Sequence, residues 1–336
     1  MKENHFRSLR LQNHKYPVRI EMNKPQAEQP EIHSDVCKHC IKAHVESESV
    51  TDLSAGFLTR EVAPGIFMLT NGNYQSLFLT TGEGVVLIDA PEPLVKFIAP
   101  AISDVTDEPI STLIYSHGHS DHIGGSFLLA RPGLEIIAEE RVAKFINQKH
   151  DGRRLSPTRK FTEQLLFQKG TRTMSLKRDE FHSPEGDLII HFPKEKVMMA
   201  VDFIAPGWVP LLDFDITGNM FVYLNAFDRI LAYDFDAFIS GHTADIAHRK
   251  DIELTKKYAF DVYETVKRIH GQINVAELLA KQRDNEQAGI KMLIEEVTAA
   301  ATAEVQSRWL NGPMKGVDLW TESHCRAMLL YVRWSD

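Results

Sequence analysis

The stretch His117-Gly118-His119-Ser120-Asp121-His122 decides how this chain is to be read. Three imidazoles and a carboxylate so close together are poor material for a dry core, where each would need a partner. They suit a borderline divalent cation such as zinc, which takes imidazole nitrogen and carboxylate oxygen and, in a catalytic site, leaves room for water. Upstream, residues 110–115 are apolar with β-branched members, the pattern of a buried strand. Downstream, Ile123-Gly124-Gly125-Ser126 reads as a tight turn into a helix. The motif is therefore expected at a strand end, where α/β folds gather their chemistry.

Three later positions repeat that placement. Residues 187–192 and 197–201 read as two strands joined by Pro193-Lys194-Glu195-Lys196, with His182 just before the unit and Asp202 just after it. A further strand over 237–240 ends in Gly241-His242. Donors brought from separate strand ends are what a preorganised metal site requires.

The order His117-x-His119-x-Asp121-His122, then His182, Asp202 and His242, resembles the metallo-β-lactamase superfamily. The resemblance implies an α/β fold, an αββα sandwich around one or two metal ions, with a helical C-terminal extension. It implies His117, His119 and His182 on a first metal, Asp121, His122 and His242 on a second, and Asp202 bridging. His182 is preferred to the nearby His191 because Ser183-Pro184-Glu185-Gly186-Asp187 follows it, similar to the family's His-Thr-x-Gly-Asp stretch with Glu185 inserted. Two departures stand out. Val201 occupies the place of the glycine usual before the bridging Asp, and Phe203-Ile204 follow where acyl-homoserine lactonases place a Tyr. Asp202 itself speaks against a class B3 β-lactamase, and His119 against an oxygen-reducing flavodiiron protein. Glyoxalase II shares the ligand set, but the C-terminal part shows no basic glutathione-binding cluster.

The activity so implied is that of a zinc-dependent hydrolase with Asp121 and His242 as catalytic ligands, acting on a small apolar ester or lactone. Hydrolytic dehalogenation of an activated chlorinated aromatic and β-lactam hydrolysis are the alternatives within hydrolases. An iron-dependent sulfur dioxygenase and a non-catalytic metal-binding protein are the alternatives outside them.

Composition agrees with a soluble enzyme: 336 residues, 43% of them hydrophobic, and a formal net charge of −8. Such a chain buries a large core, and its acidity disfavours a nucleic-acid partner. No apolar run reaches the length of a membrane span, and residues 1–7 lack the apolar core of a secretory leader. Three cysteines are too few for a disulfide framework. A cytoplasmic protein, as monomer or homodimer, is the expectation.

Three zones follow: a polar extension over 1–55, a catalytic domain over 56–250 and a helical extension over 251–336. In the first, Cys37-Lys38-His39-Cys40, with His33 and His44 nearby, invites a second metal reading but lacks the further pair of a closed tetrahedral site. In the last, Ala259, Val262, Val266 and Ile269 form an apolar helical stripe, and 290–305 read as another helix. Residues 316–324 are expected either to fold back towards the pocket or to place Trp320 in the core and His324 at the surface. Asp89, closing the strand 85–88, is placed to accept a hydrogen bond from a ligating imidazole or to cap the turn before Pro91. Trp208, Phe221, Tyr223 and Phe227 are read as pocket wall or core, and Asn73-Tyr74 as a loop over the metals or a plain turn.

Overall fold

The computed structural model describes residues 52–280 and 285–334. The Cys37/Cys40 pair lies outside the described residues. Two sheets face each other. The first runs in the order β1 (Leu58–Ala63), β2 (Ile66–Thr70), β3 (Gln75–Leu79), β4 (Val85–Ile88), β5 (Ile110–Ile114), β6 (Glu135–Glu139) and β7 (Arg159–Phe161). It is antiparallel through β4 and parallel from β4 to β7. The second runs β12 (Ala237–Ile239), β11 (Val197–Met199), β10 (Asp187–Phe192), β9 (Arg172–Asp179) and β8 (Gln164–Lys169), with only β11–β12 parallel.

Strand alternation sorts the core into layers. In β4, Val86 and Ile88 point between the sheets with Ile190, Met199 and Ile239, whereas Val85 and Leu87 point outward. That outer face is covered by α1 (Glu92–Ser103), through Leu94, Val95, Ile98 and Ile102, and by α3 (Glu140–Lys149), through Val142 and Ile146. Strands buried on both faces lose the polar alternation of a half-exposed strand, which explains continuous runs such as Val85-Val86-Leu87-Ile88. The short α2 (Ser120–Ile123) starts inside the motif, three residues before the turn expected at Ile123, and a 3-10 turn follows at Ser126–Leu129.

The other outer face is helical. Ile189, Met198 and Phe238 of the second sheet pack against α5 (Met220–Leu231), α6 (Arg249–Gln272), α8 (Glu286–Trp309) and α9 (Val317–Trp334). The linking elements are α4 (Leu212–Ile216) and α7 (Val275–Ala280). The expected stripe Ala259, Val262, Val266, Ile269 is the buried face of α6. Side chains start the helices: Asn219 accepts from Val222 N, Asn285 from Ala288 N, and Asp251 from His248 N. No described helix is long and apolar enough to cross a membrane.

Residues 317–324 belong to α9, and His324 is buried, which overturns its surface reading. Its Nε2–H donates to Leu211 O at 2.8 Å, so Nδ1 accepts from Tyr258 Oη at 2.8 Å, and Thr321 Oγ1 lies 2.9 Å from the same phenol oxygen. The carbonyl of Leu211 can only accept, and that fixes the tautomer. α9 thereby grips the segment leading into α4.

Burial lowers the His324 pKa to about 4. The unfolded chain, with an ordinary value of about 6.5, takes up a proton that the folded chain refuses. Stability should therefore fall as pH drops from about 6.5 to about 4. His324→Gln should flatten that slope and cost about 1–3 kcal/mol at pH 7. Urea unfolding of both proteins at several pH values checks this; parallel slopes would contradict it.

Candidate metal centre

The donors come from strand ends. β5 delivers the loop carrying His117 and His119, α2 carries Asp121 and His122, β11 ends before Asp202, and β12 ends before His242. Asp202 adopts φ +63 and Asp89 φ +62, a left-handed backbone uncommon outside glycine and concentrated at functional positions. Gly241 has φ +88, and a Cβ there would lie 2.5 Å from Val201 Cγ1, so a glycine at 241 makes room for Val201 beside Asp202.

All seven residues meet. One set is His117, His119, His182 and Asp202, the other Asp121, His122 and His242, with donor atoms within 4.8 Å of one another in each set. Asp202 joins the two. Its Oδ2 lies 3.4 Å from both His117 Nε2 and His182 Nε2, while its Oδ1 lies 3.1 Å from His122 Nε2 and 3.2 Å from His242 Nε2. His119 Nδ1 is 3.1 Å from His182 Nε2, and His122 Nε2 is 3.2 Å from His242 Nε2. Donors 2.0–2.1 Å from a tetrahedral ion are separated by about 3.3 Å, so these spacings fit zinc-sized shells. His117 Nε2 is buried and has no hydrogen-bond partner, as an atom reserved for a cation would be.

The rings are held from behind. His242 Nδ1–H donates to Asn73 O at 2.9 Å, which leaves Nε2 with its lone pair towards the cluster. His117 Nδ1 lies 2.9 Å from Ser116 Oγ. Asp187 accepts from the backbone N–H groups of His182 and Ser183 at 2.8–3.1 Å. His191 instead pairs through Nε2 with Asp234 O and lies in neither donor set. Tyr74 packs its ring 4.9 Å from His242 and 5.8 Å from His122, so the Asn73-Tyr74 loop does border the site.

Electrostatics call for positive charge here. Burial opposes the charged form of His122, yet Asp202, Asp121 and Asp89 overcome it and hold its pKa at about 9. Burial also pushes Asp202 upward, but the surrounding imidazoles, His122 foremost, bring it well below the usual carboxylate range. Burial takes His182 down to about 4 and His117 well below its ordinary value. A buried carboxylate with four imidazoles converging on its two oxygens leaves a place where a cation fits.

Asp89 does not serve an imidazole, and the aromatic residues divide between core and surface. Asp89 accepts from Ser116 N–H at 2.8 Å, not from an imidazole, because its left-handed backbone aims Oδ1 at the entry to the motif. Tyr223 and Phe227 are fully buried with Phe203, and Phe221 is exposed, because helical spacing turns 223 and 227 inward and 221 out. Trp208 lies under Lys315. The cavity beside Asp121, about 480 Å³, is lined instead by Tyr74, Glu92, Lys96, Ser120 and Arg153.

Sequence reasoning missed Gln75 and Ser116. Gln75, fully buried, accepts from Ser240 N and Gly241 N and donates to Asp245 O, bracing the His242 turn. A glutamine in an apolar strand was the available signal. Asp215 lies in α4, where Asp213, Phe214, Asp215 and Ile216 are all left-handed, with φ between +52 and +62. Such a backbone costs about 1–2 kcal/mol per residue, somewhat less for Asp, and nothing in the local sequence announces it.

Comparison with known proteins agrees with this geometry. The sequence profile of the metallo-beta-lactamase superfamily matches residues 69–242. A curated relative, the 2,4-dinitroanisole O-demethylase subunit alpha of Nocardioides sp. (strain JS1661), is 25% identical over 211 residues, or 58% of this chain and 61% of that protein. The chain thus spans less than two thirds of that relative. Among solved structures, a metallo-beta-lactamase from Pontibacter korlensis aligns with TM-score 0.52 at 15% identity, over 60% of this chain and 97% of that one. The DIM-1 metallo-beta-lactamase aligns with TM-score 0.50 at 13% identity, over 60% and 95%. At these identities the structures speak for the fold.

Replacing Asp202 removes the one group facing both donor sets. Elemental analysis after dialysis against zinc should find about two ions per wild-type chain and at most one in Asp202→Ala. Equal loading of both proteins would contradict the bridging role.

Proposed function

The chain belongs to the metallo-β-lactamase superfamily, and from that premise we propose that it is a zinc-dependent hydrolase of small esters or lactones. The observation that carries the reading is the division of Asp202 between His117 and His182 on one oxygen and His122 and His242 on the other. Bound there, divalent cations would supply a water whose pKa falls from 15.7 to about 7, and would polarise the substrate oxygen.

The residues then divide the work. His117, His119, His182 and Asp202 would hold one ion; Asp121, His122, His242 and Asp202 would hold the other. Asp121, 44% exposed beside the cavity, can orient the attacking water and take its proton. The water oxygen bonds to the carbonyl carbon, the bond to the departing oxygen breaks, and the proton passes from Asp121 to that oxygen. Ser116 and Asn73 keep the rings of His117 and His242 from turning away, and Asp187 fixes the backbone that carries His182. The cavity lining mixes Tyr74 with charged side chains, which suits a compact polar ester or lactone better than a purely apolar one.

A second reading is favoured by the relative named as a 2,4-dinitroanisole O-demethylase subunit. An electron-poor aryl methyl ether offers ring carbon to the same water, with methanol leaving. Oxygen-18 water separates the routes, since ring attack places the label on the phenol and attack at methyl places it in methanol.

Zinc-loaded protein should cleave small esters or lactones, lose activity to a chelator and regain it with zinc. His119→Ala should lower kcat/KM by about 100-fold or more. A wild-type rate in that variant, or no turnover of esters, lactones or nitroaryl ethers, would overturn the reading.

A further inference from the structure

The peptide between His117 and His119 is held from a segment that carries no ligand. Gly118 is buried, so its carbonyl oxygen needs a donor. Arg154 supplies one, its Nη1–H donating to Gly118 O at 2.7 Å, and no other hydrogen bond reaches that oxygen among the described residues. The Arg154 side chain is 8% exposed, with Nε 3.2 Å from Asp151 Oδ2 and the guanidinium 5.5 Å over the ring of Phe145. Phe145 also lies against the glycine, where a Cβ would come within 2.8 Å of its Cδ1. Residues 153–155 are laced to both flanks of the motif. Tyr115 Oη–H donates to Leu155 O at 3.0 Å, Ser126 Oγ–H to Arg153 O at 3.1 Å, and Leu155 N–H to Ser126 Oγ at 3.0 Å. Arg154 thus reaches Gly118 from a backbone fixed just before and just after the ligands.

We propose that Arg154 is a positioning residue of the metal centre, its guanidinium setting the His117-Gly118-His119 backbone so that both imidazoles address one ion. The inference rests on the two donor sets, not on the hydrolase reading. The two rings differ in what else holds them. His117 has Ser116 Oγ at its Nδ1, whereas the His119 ring has no hydrogen-bond partner outside the cluster among the described residues. His119 is therefore aimed by its backbone, and that backbone is the one Arg154 grips. A zinc-nitrogen distance of 2.0–2.1 Å leaves little room for a peptide that rotates. The residue type fits the task. A guanidinium this buried needs partners for its charge, its N–H groups and its flat face, and Asp151, Gly118 O and Phe145 are those partners.

Zinc titration of the metal-free full chain against a chromophoric chelator tests this, with the visible spectrum of the cobalt-loaded protein as a second readout. Arg154→Met should weaken one of the two zinc-binding steps by about 10–100-fold, the usual cost of losing a residue that supports a ligand, and should shift the cobalt bands. Arg154→Lys, which keeps a cationic donor, should recover most of that affinity and the wild-type bands. If Arg154→Met does not fold, Arg154→Gln, whose shorter side chain stops short of Gly118 O, takes its place with the same expectation. Unchanged zinc affinity and cobalt bands on loss of the guanidinium, equal weakening of both steps, or a lysine variant no better than the neutral one would overturn the proposal. So would a wild type that binds no zinc. Because no substrate enters the titration, the result is read whether or not esters and lactones turn over.

Discussion

A carboxylate shut away from water must find positive charge, and Asp202 is built to find it on both oxygens at once. It is 4% exposed, and four imidazole nitrogens close around it at 3.1–3.4 Å. A hydrocarbon environment would neutralise such a group; this one keeps it ionised. The histidines alone can do so only by taking protons, which is why His122 is held at about 9 against its burial. A divalent ion in each donor set meets the same demand without protons, and frees the imidazoles to act as ligands.

The sandwich makes that arrangement affordable in conformational terms. Both sheets present parallel strand ends on one side, β5 and β11–β12, so the donors arrive on rigid supports. Support continues outward in named contacts. Gln75 ties the turn before His242 to β3, Asp89 ties the entry of the motif to β4, and Asp187 ties His182 to β10. The helical C-terminal part takes its share through α9, whose His324 and Ser323 hold the segment that enters α4, and just past α4 Gly218 N–H donates to His182 O. A region read as packing surface therefore reaches the site through one braced turn.

Much of this was legible in residue order. Tandem imidazoles have few explanations besides metal, and apolar runs before the 117–122 motif, before Asp202 and before His242 marked their strands. The helix stripe in α6 followed from spacing alone, and Tyr223 and Phe227 take the core place that was one of their two readings. What was not legible depends on backbone conformation or distant contact. The left-handed φ of Asp89 redirects its carboxylate from an imidazole to Ser116 N–H. The winding of α4 is held by tertiary ties, and nothing in its own residues announces it. His324 looked exposed because nothing in 316–324 reveals that Leu211 and Tyr258 await it.

Anomalous diffraction from crystals grown with zinc addresses the central claim most directly. The account predicts two peaks about 3.5–4 Å apart, one on each side of the Asp202 carboxylate, with only nitrogen and oxygen donors around them. Density for zinc away from residues 117–122, or an Asp202 carboxylate touching no ion, would contradict it.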